Sequence, residues 1–580
     1  MTALHPLERE AEAPTEVMEA GPPPPRFIWL PWATIGLAAA LFLLGLPTIP
    51  SAGASQWGLL AVASPAYAIS ILLTAVGFAF AIRKSNLKAA VAATILMIIV
   101  QRLPRTITTD MPMYAWTYKH LGVVDYIQHA QTLARDVDIY NGWPGLFALT
   151  AWFSNLTGIS ATTLAHWYTP VFHVFLAGLV YGVARAWRLG PKVAITATFL
   201  VVTLNWVEQD YYSPQATTML LVAGIFMLVG LSRDKPVATL LLIVLFTAAT
   251  VTHQLTPYWV FGAIGLLVLA RQMRPWWIVL PLGVILVCYL MYNWEQANEY
   301  TLFSSDVIKN AESNIPTVGV MGQRVTSGGV RILSASIWVT TGLVLLYRMW
   351  RRKSFWALGV LSLSPMLILG GQSYGGEAIF RVFLYSIIGC CIVLAPVLTA
   401  ALERGTRTFC AALAILLGAT ALSAQGYTGS WYANVMPKIQ VDTSKVVLGQ
   451  AELPAYLTAV APVWPERSTW RYVDYARFDN RFDGLMINAA YLAGRHFDTD
   501  EDYAVFIKAL ESRPDASTYL IITDQMRVYS WYFGILPWDA LPNLKERLKR
   551  DTVNWEPFYD GQGITVFLHR VDTSVLDGSS

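Results

Sequence analysis

Charge is scarce in this chain. Of 580 residues, 41 are Lys or Arg and 38 are Asp or Glu, while 55% are hydrophobic. With a mean hydropathy of +0.45, this composition excludes an ordinary soluble domain and points to a polytopic membrane protein. The net charge of +3 gives no reason to expect a nucleic-acid partner. Cysteine is also rare. Cys288, Cys390, Cys391 and Cys410 all stand in apolar runs, so neither a disulfide framework nor a thiolate metal site is expected. The chain has no GxxxxGK[ST], GxGxxG, HExxH or CxxC pattern, so nucleotide hydrolysis, dinucleotide binding and zinc hydrolysis lack a signature. Residues 1–26 carry several glutamates and end in Pro22 to Pro25. They read as a disordered cytoplasmic tail rather than a secretory signal.

Long apolar runs are plentiful. A span needs roughly 20 such residues. Windows of that length suggest about 13 transmembrane helices near 27–49, 57–82, 87–104, 166–187, 192–207, 215–231, 236–252, 257–271, 275–292, 331–349, 355–371, 378–401 and 407–424. Segment 143–159 is apolar too, and the basic residues decide its place. With the N-terminus inside and 143–159 lying flat, the inner loops collect Arg83, Lys84 and Lys88; Arg185, Arg188 and Lys192; Arg233 and Lys235; Arg271 and Arg274; the Arg348–Lys353 group; and Arg404 and Arg407. The short outer loops around 50–56, 208–214, 253–256 and 372–377 hold no Lys or Arg. A spanning 143–159 would invert every later loop, so it is expected to be a surface helix. Outer loops at 105–165 and 293–330 follow, with residues 425–580 outside. The runs "STYLIITD" and "ITVFLHRV" read as strands there, and "EDYAVFIKALES" and "LPNLKERLKR" as helices. The expected fold class is a polytopic α-helical membrane protein, with residues 27–424 as the transmembrane part and a small extracytoplasmic α/β domain at the C-terminus.

The outer ends of the spans hold the candidate chemistry. "GVVDYIQHAQTLARDVDIYNGWPGL" packs Asp125, His129, Arg135, Asp136 and Asp138 into a stretch before apolar sequence. Ionisable groups at the mouth of a helix bundle suggest function. The loops "NWVEQDYYSPQATT", "VTHQLTPYW" and "GGQSYGGEAIFRVF" add Glu208, Asp210, Tyr211, His253, Gln254, Glu377 and Arg381 at the same depth. Such a set suits transfer of a group from a lipid carrier. A carboxylate takes the proton of an attacking sugar hydroxyl, a role open to Asp125 or Asp110. A guanidinium balances the leaving phosphate, a role open to Arg102, Arg105 or Arg381. Simpler readings stand beside these. Asp125 caps a helix over "YIQHAQTLARD"; Asp110 sits in an Asx turn; Asp136 and Asp138 are solvated helix-end charges; Glu377 and Arg381 form an i,i+4 pair.

The order from "DY…HAQTLARD" through "WPGLFALTAWFSNLTGISATTLAHWYTPVFHVFLAGLVYGVARAWRLG" resembles the first half of the GT-C superfamily, and the outer "YYSPQ" and "HQLTP" elements are similar to runs in actinobacterial membrane proteins of this type. These are integral-membrane glycosyltransferases, including arabinosyl-, mannosyl- and aminoarabinose-transferase groups. The resemblance implies a polyprenyl-phosphate sugar donor, a glycan, glycolipid or protein acceptor, and work at the outer face of the plasma membrane. It makes Asp125 the acidic residue of the first outer loop and Trp143–Leu146 the turn that follows. The chain departs from the family pattern: Tyr126 stands where a second acid is usual, and the turn has one proline. No DxD-like pair beside Asp125 or Asp110 argues for a divalent metal, and the carboxylates leave that question open. A polysaccharide polymerase or ligase is the alternative, with Arg324 and Arg331 in or near the loop 293–330. A transporter or flippase is less favoured, because no internal repeat is visible.

Overall fold

The computed structural model describes residues 29–299, 318–370, 377–510 and 516–570. The expected N-terminal tail, residues 300–317 of the loop 293–330 and residues 371–376 lie outside these. Helices α1 (Leu30–Gly45), α2 (Pro65–Arg83) and α3 (Leu87–Ile107) lead into three short ones, α4 (Trp116–Ala130), α5 (Ile139–Gly142) and α6 (Gly145–Thr157). Then come α7 (Ala161–Ala186), α8 (Pro191–Leu204), α9 (Pro214–Leu231), α10 (Val237–Thr252), α11 (Thr256–Leu269), α12 (Val279–Tyr292) and α13 (Trp294–Glu299). The bundle closes with α14 (Met321–Trp350), α15 (Trp356–Leu363), α16 (Ala378–Glu403) and α17 (Thr406–Thr428). Each apolar window from the sequence holds one helix. Among the described residues eight helices are long and apolar enough to cross a membrane, and five more are shorter apolar helices.

The local code for these helices is visible. Ser64 and Ser213 cap α2 and α9, each accepting a backbone N–H, and Pro65 and Pro214 follow at the first helical position. There the missing proline N–H costs nothing. Close packing relies on small residues. A Cβ on Gly389 of α16 would lie 2.3 Å from the Leu361 carbonyl oxygen of α15. Helix α6 is short and exposes Leu149, Trp152 and Leu156 while burying Phe147 and Ala151.

Two expected boundaries move. Helix α14 begins ten residues before the window at 331, so Arg324 and Arg331 are helical rather than loop residues. Helix α4 starts at Trp116 and stops at Ala130, where Gln131 takes a left-handed conformation. The helix foreseen over "YIQHAQTLARD" therefore does not run to Asp136, and Asp125 sits inside α4 rather than at its start.

After α18 (Trp431–Asn434) and α19 (Lys438–Gln450) comes a four-stranded sheet. Its strands are β1 (Ala455–Ala459), β2 (Ser517–Thr523), β3 (Glu556–Gly561) and β4 (Ile564–His569), in the order β1-β2-β4-β3. β1 and β2 are parallel, joined by a crossover carrying α20 (Tyr472–Phe478) and α21 (Asp500–Leu510). β2–β4 and β4–β3 are antiparallel. Helices α22 (Asp524–Phe533) and α23 (Ala540–Arg550) complete the domain. The polytopic helical membrane part with a small α/β C-terminal domain is thus the fold class read from composition and pattern. β1 escaped notice because it is only five residues, all buried, with no alternation to read.

The domain shares its hydrophobic core with the segment after α3. Tyr118, Val123, Val124, Phe147 and Ala151 belong to the same cluster as Leu457, Tyr472, Leu520 and Val566. Contact is closest at Gly122, where a Cβ would fall 1.9 Å from the Arg467 carbonyl oxygen. Gly122→Ala is expected to cost about 1–3 kcal/mol by forcing α4 from the domain, read as a lower midpoint in thermal unfolding of the detergent-solubilised protein.

Candidate functional site at one end of the bundle

The loop Asn205–Ser213, between α8 and α9, is the hub. Its residues Glu208, Gln209 and Asp210 reach in three directions.

Asp210 points into the bundle and is fully buried. Its Oδ2 accepts from His173 Nε2 of α7 at 2.8 Å and lies 3.5 Å from Arg102 Nη1 of α3. Its Oδ1 lies 3.7 Å from Arg105 Nη1. Burial disfavours the charged carboxylate, but the His173 hydrogen bond and the two guanidinium charges outweigh it and hold its pKa at about 2. Arg102, an arginine inside a span, also donates to the carbonyls of Val202 and Asn205 at 3.1 and 2.7 Å. The Tyr427 ring of α17 lies between the two guanidinium groups, 3.7 Å from Arg102 and 3.8 Å from Arg105. Asp210 Oδ1 and Arg105 Nε and Nη1 make no hydrogen bond among the described residues, so the cluster keeps polar capacity in reserve.

Glu208 points toward the α/β domain and keeps 16% of its side chain accessible. It accepts from Tyr114 Oη at 2.5 Å and from Ser430 Oγ at 2.7 Å, and lies 3.4 Å from Arg105 Nη2. Burial raises its pKa despite these partners. Gln209 links sideways, donating to Glu377 Oε2 at 2.8 Å and accepting from Gln215 at 2.7 Å. The same Glu377 oxygen accepts from Arg381 at 3.0 Å, so the i,i+4 pair is present and is tied into the hub. Tyr211 packs on Tyr114 and His120, with ring centroids 5.2 and 6.2 Å away.

Arg102, Arg105, Glu208, Asp210, Tyr211, Glu377 and Arg381 are thus brought together from three separate stretches. His253 is adjacent. It is buried at the end of α10, its Nδ1 accepts the backbone N–H groups of Leu255 and Thr256 at 3.3 and 3.2 Å, and burial and the Arg381 charge keep it neutral. Gln254 stands beside it, half-buried.

The two carboxylates favoured from sequence are placed elsewhere. Asp125 Oδ2 accepts the backbone N–H of Trp470 at 2.7 Å, so it fastens α4 to the domain. Asp110 lies exposed just past the end of α3. Asp136 is an exposed charge paired with Arg477 at 2.8 Å. Asp138 corrects the solvated reading: it is buried, caps α5 through the N–H groups of Tyr140 and Asn141, and pairs with Arg467 at 3.4 Å. His173 and Tyr427 were missed. A histidine in the middle of an apolar span was the available signal for the first. Nothing local marked Tyr427, whose role comes from two arginines of another helix.

Beside the hub, His120 is buried against Tyr140 and Phe147, and its Nδ1 lies 2.9 Å from the Tyr212 carbonyl. Burial lowers its pKa to about 4. The folded state therefore prefers neutral His120, and this stability is lost as the pH falls from 6.5 toward 4. His120→Asn is expected to flatten the fall of melting temperature across that window.

Among the described residues no group of three or more His, Cys, Asp or Glu side chains is arranged to hold a metal ion. No family model and no curated protein matches this chain. Among solved structures it is similar to ArnT from Cupriavidus metallidurans bound to undecaprenyl phosphate, with a TM-score of 0.47 and 10% identity over 83% of this chain and 97% of that one. It is also similar to the apo state of that ArnT, with a TM-score of 0.45 and 11% identity over the same shares of each chain.

Proposed function

We propose that the protein is a membrane glycosyltransferase that moves a sugar from a polyprenyl-phosphate donor to an acceptor hydroxyl of the cell envelope. The observation that carries this reading is the convergence of arginines and carboxylates from α3, the 205–213 loop and the start of α16 at one end of the bundle. The sequence resemblance to the GT-C superfamily points the same way.

Each group takes a role that suits its surroundings. Glu208 is the general base, since it remains accessible and burial moves its pKa toward neutrality. It takes the acceptor proton as the hydroxyl oxygen bonds to the anomeric carbon. The bond from that carbon to the phosphate oxygen breaks, and the electron pair leaves with the polyprenyl phosphate. Such direct displacement inverts the anomeric centre. Arg381, 14% accessible, meets the lipid phosphate, with Arg105 behind it. Asp210 and His173 are positioning residues that hold Arg102 and Arg105 in place. Asp110 is the second carboxylate to test, and Asp125 positions the α/β domain. On the positive-inside reading, this end of the bundle and the domain face outward.

Lipid-carrier and envelope-glycan analysis of cells lacking the gene tests the reading. Accumulation of a polyprenyl-phosphate monosaccharide with loss of one envelope sugar linkage is expected, both reversed by the wild-type gene. An unchanged carrier pool and glycan profile contradicts it.

A further inference from the structure

A second concave site lies at the far end of the bundle. α9 runs 18 residues from Pro214, close to Asp210 in sequence, to Leu231, a rise of about 27 Å. Past it, the turns 232–236 and 270–275 enclose a cavity of about 710 Å³. That volume falls in the range of ligand pockets, roughly 300–1,000 Å³.

Its lining has two parts. Leu240, Ile243, Val268 and Trp277 form an apolar groove. Leu240 and Trp277 are exposed on the outer surface of the bundle, so the groove opens sideways toward acyl chains. At the rim stand Arg271 and Arg274, both exposed and neither paired with an acid among the described residues. Arg233 is close by, held by a 2.8 Å bond to the Gln272 carbonyl and stacked over Trp187 at 4.7 Å. The one acid of these turns, Asp234, is engaged by Arg188 at 3.2 Å. The rim therefore carries net positive charge. Inside, Thr239 lines the cavity, 5% exposed, and its hydroxyl makes no hydrogen bond with the protein among the described residues. An unpartnered buried hydroxyl in an otherwise apolar groove is costly unless a polar ligand atom meets it.

We infer that this cavity binds an anionic diacyl phospholipid. One acyl chain lies along Leu240, Ile243 and Trp277, the phosphate sits between Arg271 and Arg274, and the glycerol ester region reaches the Thr239 hydroxyl. Unpaired basic charge beside an apolar lateral groove selects an anionic lipid over a zwitterionic one. On the positive-inside reading this is the cytoplasmic end, so the site is separate from the proposed transfer site and does not depend on its chemistry.

The test uses the full-length protein in nanodiscs of phosphatidylcholine with increasing fractions of phosphatidylglycerol. Lipid retained after detergent extraction is counted by native mass spectrometry. Wild type is expected to hold phosphatidylglycerol preferentially, and Arg271→Gln with Arg274→Gln to weaken retention roughly thirtyfold, each basic group contributing about fivefold. Ile243→Trp, which fills the groove and keeps both charges, is expected to abolish it. Equal retention of the two lipids by wild type overturns the proposal. So does unchanged phosphatidylglycerol retention in either variant.

Discussion

Asp210→Asn is expected to destabilise the protein by about 3–5 kcal/mol, the usual result of removing one partner from a buried ion pair. The change keeps the shape of the side chain and deletes its charge. Arg102, fully buried, loses its only ion-pair partner among the described residues, and Arg105 keeps only Glu208 at 3.4 Å. His173 loses a 2.8 Å carboxylate acceptor in the same step. Thermal unfolding in detergent measures the loss. Pairing Asp210→Leu with Arg102→Met is expected to recover much of it, because no isolated charge is then left in the bundle. The pH dependence follows from the pKa of about 2. The folded value lies below the ordinary 3.8, so the contribution is fully present above about pH 4 and is lost as pH falls toward 2. Asp210→Asn removes that acid limb.

Arg467→Gln is expected to free the α/β domain from α4 and α5. Arg467 holds Asp483 through two bonds of 2.7 and 3.0 Å, donates to the Asn480 carbonyl at 3.1 Å and lies 3.4 Å from Asp138. Lys119 is the second cation there, 2.6 Å from Glu466 and 3.6 Å from Asp483. Without Arg467, Asp138 loses its ion-pair partner, and the nearly buried Glu466 and Asp483 share one lysine. The penalty is again about 3–5 kcal/mol, and it falls on the contact that seats the domain. Limited proteolysis is expected to cut the variant between 451 and 471 under conditions where wild type resists. Ser430 and Tyr114, on the two sides of this seam, both bind Glu208, so the same variant is expected to lose transfer activity along with its resistance.

The polytopic helical fold class was open to reading from sequence, because the apolar length of a span is a direct consequence of the bilayer. Helix starts at Ser64–Pro65 and Ser213–Pro214 were equally local. The candidate site was legible only as a list. That Glu208, Asp210, Arg102, Arg105, Glu377 and Arg381 stand at the ends of spans follows from sequence. Which acid meets which arginine depends on helix rotation and on crossing distances that no short window encodes. Asp125 shows the cost. Its position in a charged loop suggested chemistry, while its carboxylate is spent on Trp470, 345 residues away in sequence. The Lys119–Glu466–Arg467–Asp483–Asp138 network was invisible for the same reason, since its members come from two ends of the chain.

In the proposed reaction Glu208 activates the acceptor hydroxyl. The most direct test is release of polyprenyl phosphate in membranes that have accumulated the donor in the absence of the gene product. Purified wild type is expected to release it and to form one new sugar linkage. Glu208→Gln, inserted to the same level and with the same melting temperature within a few degrees, is expected to be slower by about 10²–10⁴-fold. Release by Glu208→Gln at the wild-type rate contradicts the account and removes Glu208 from the chemistry.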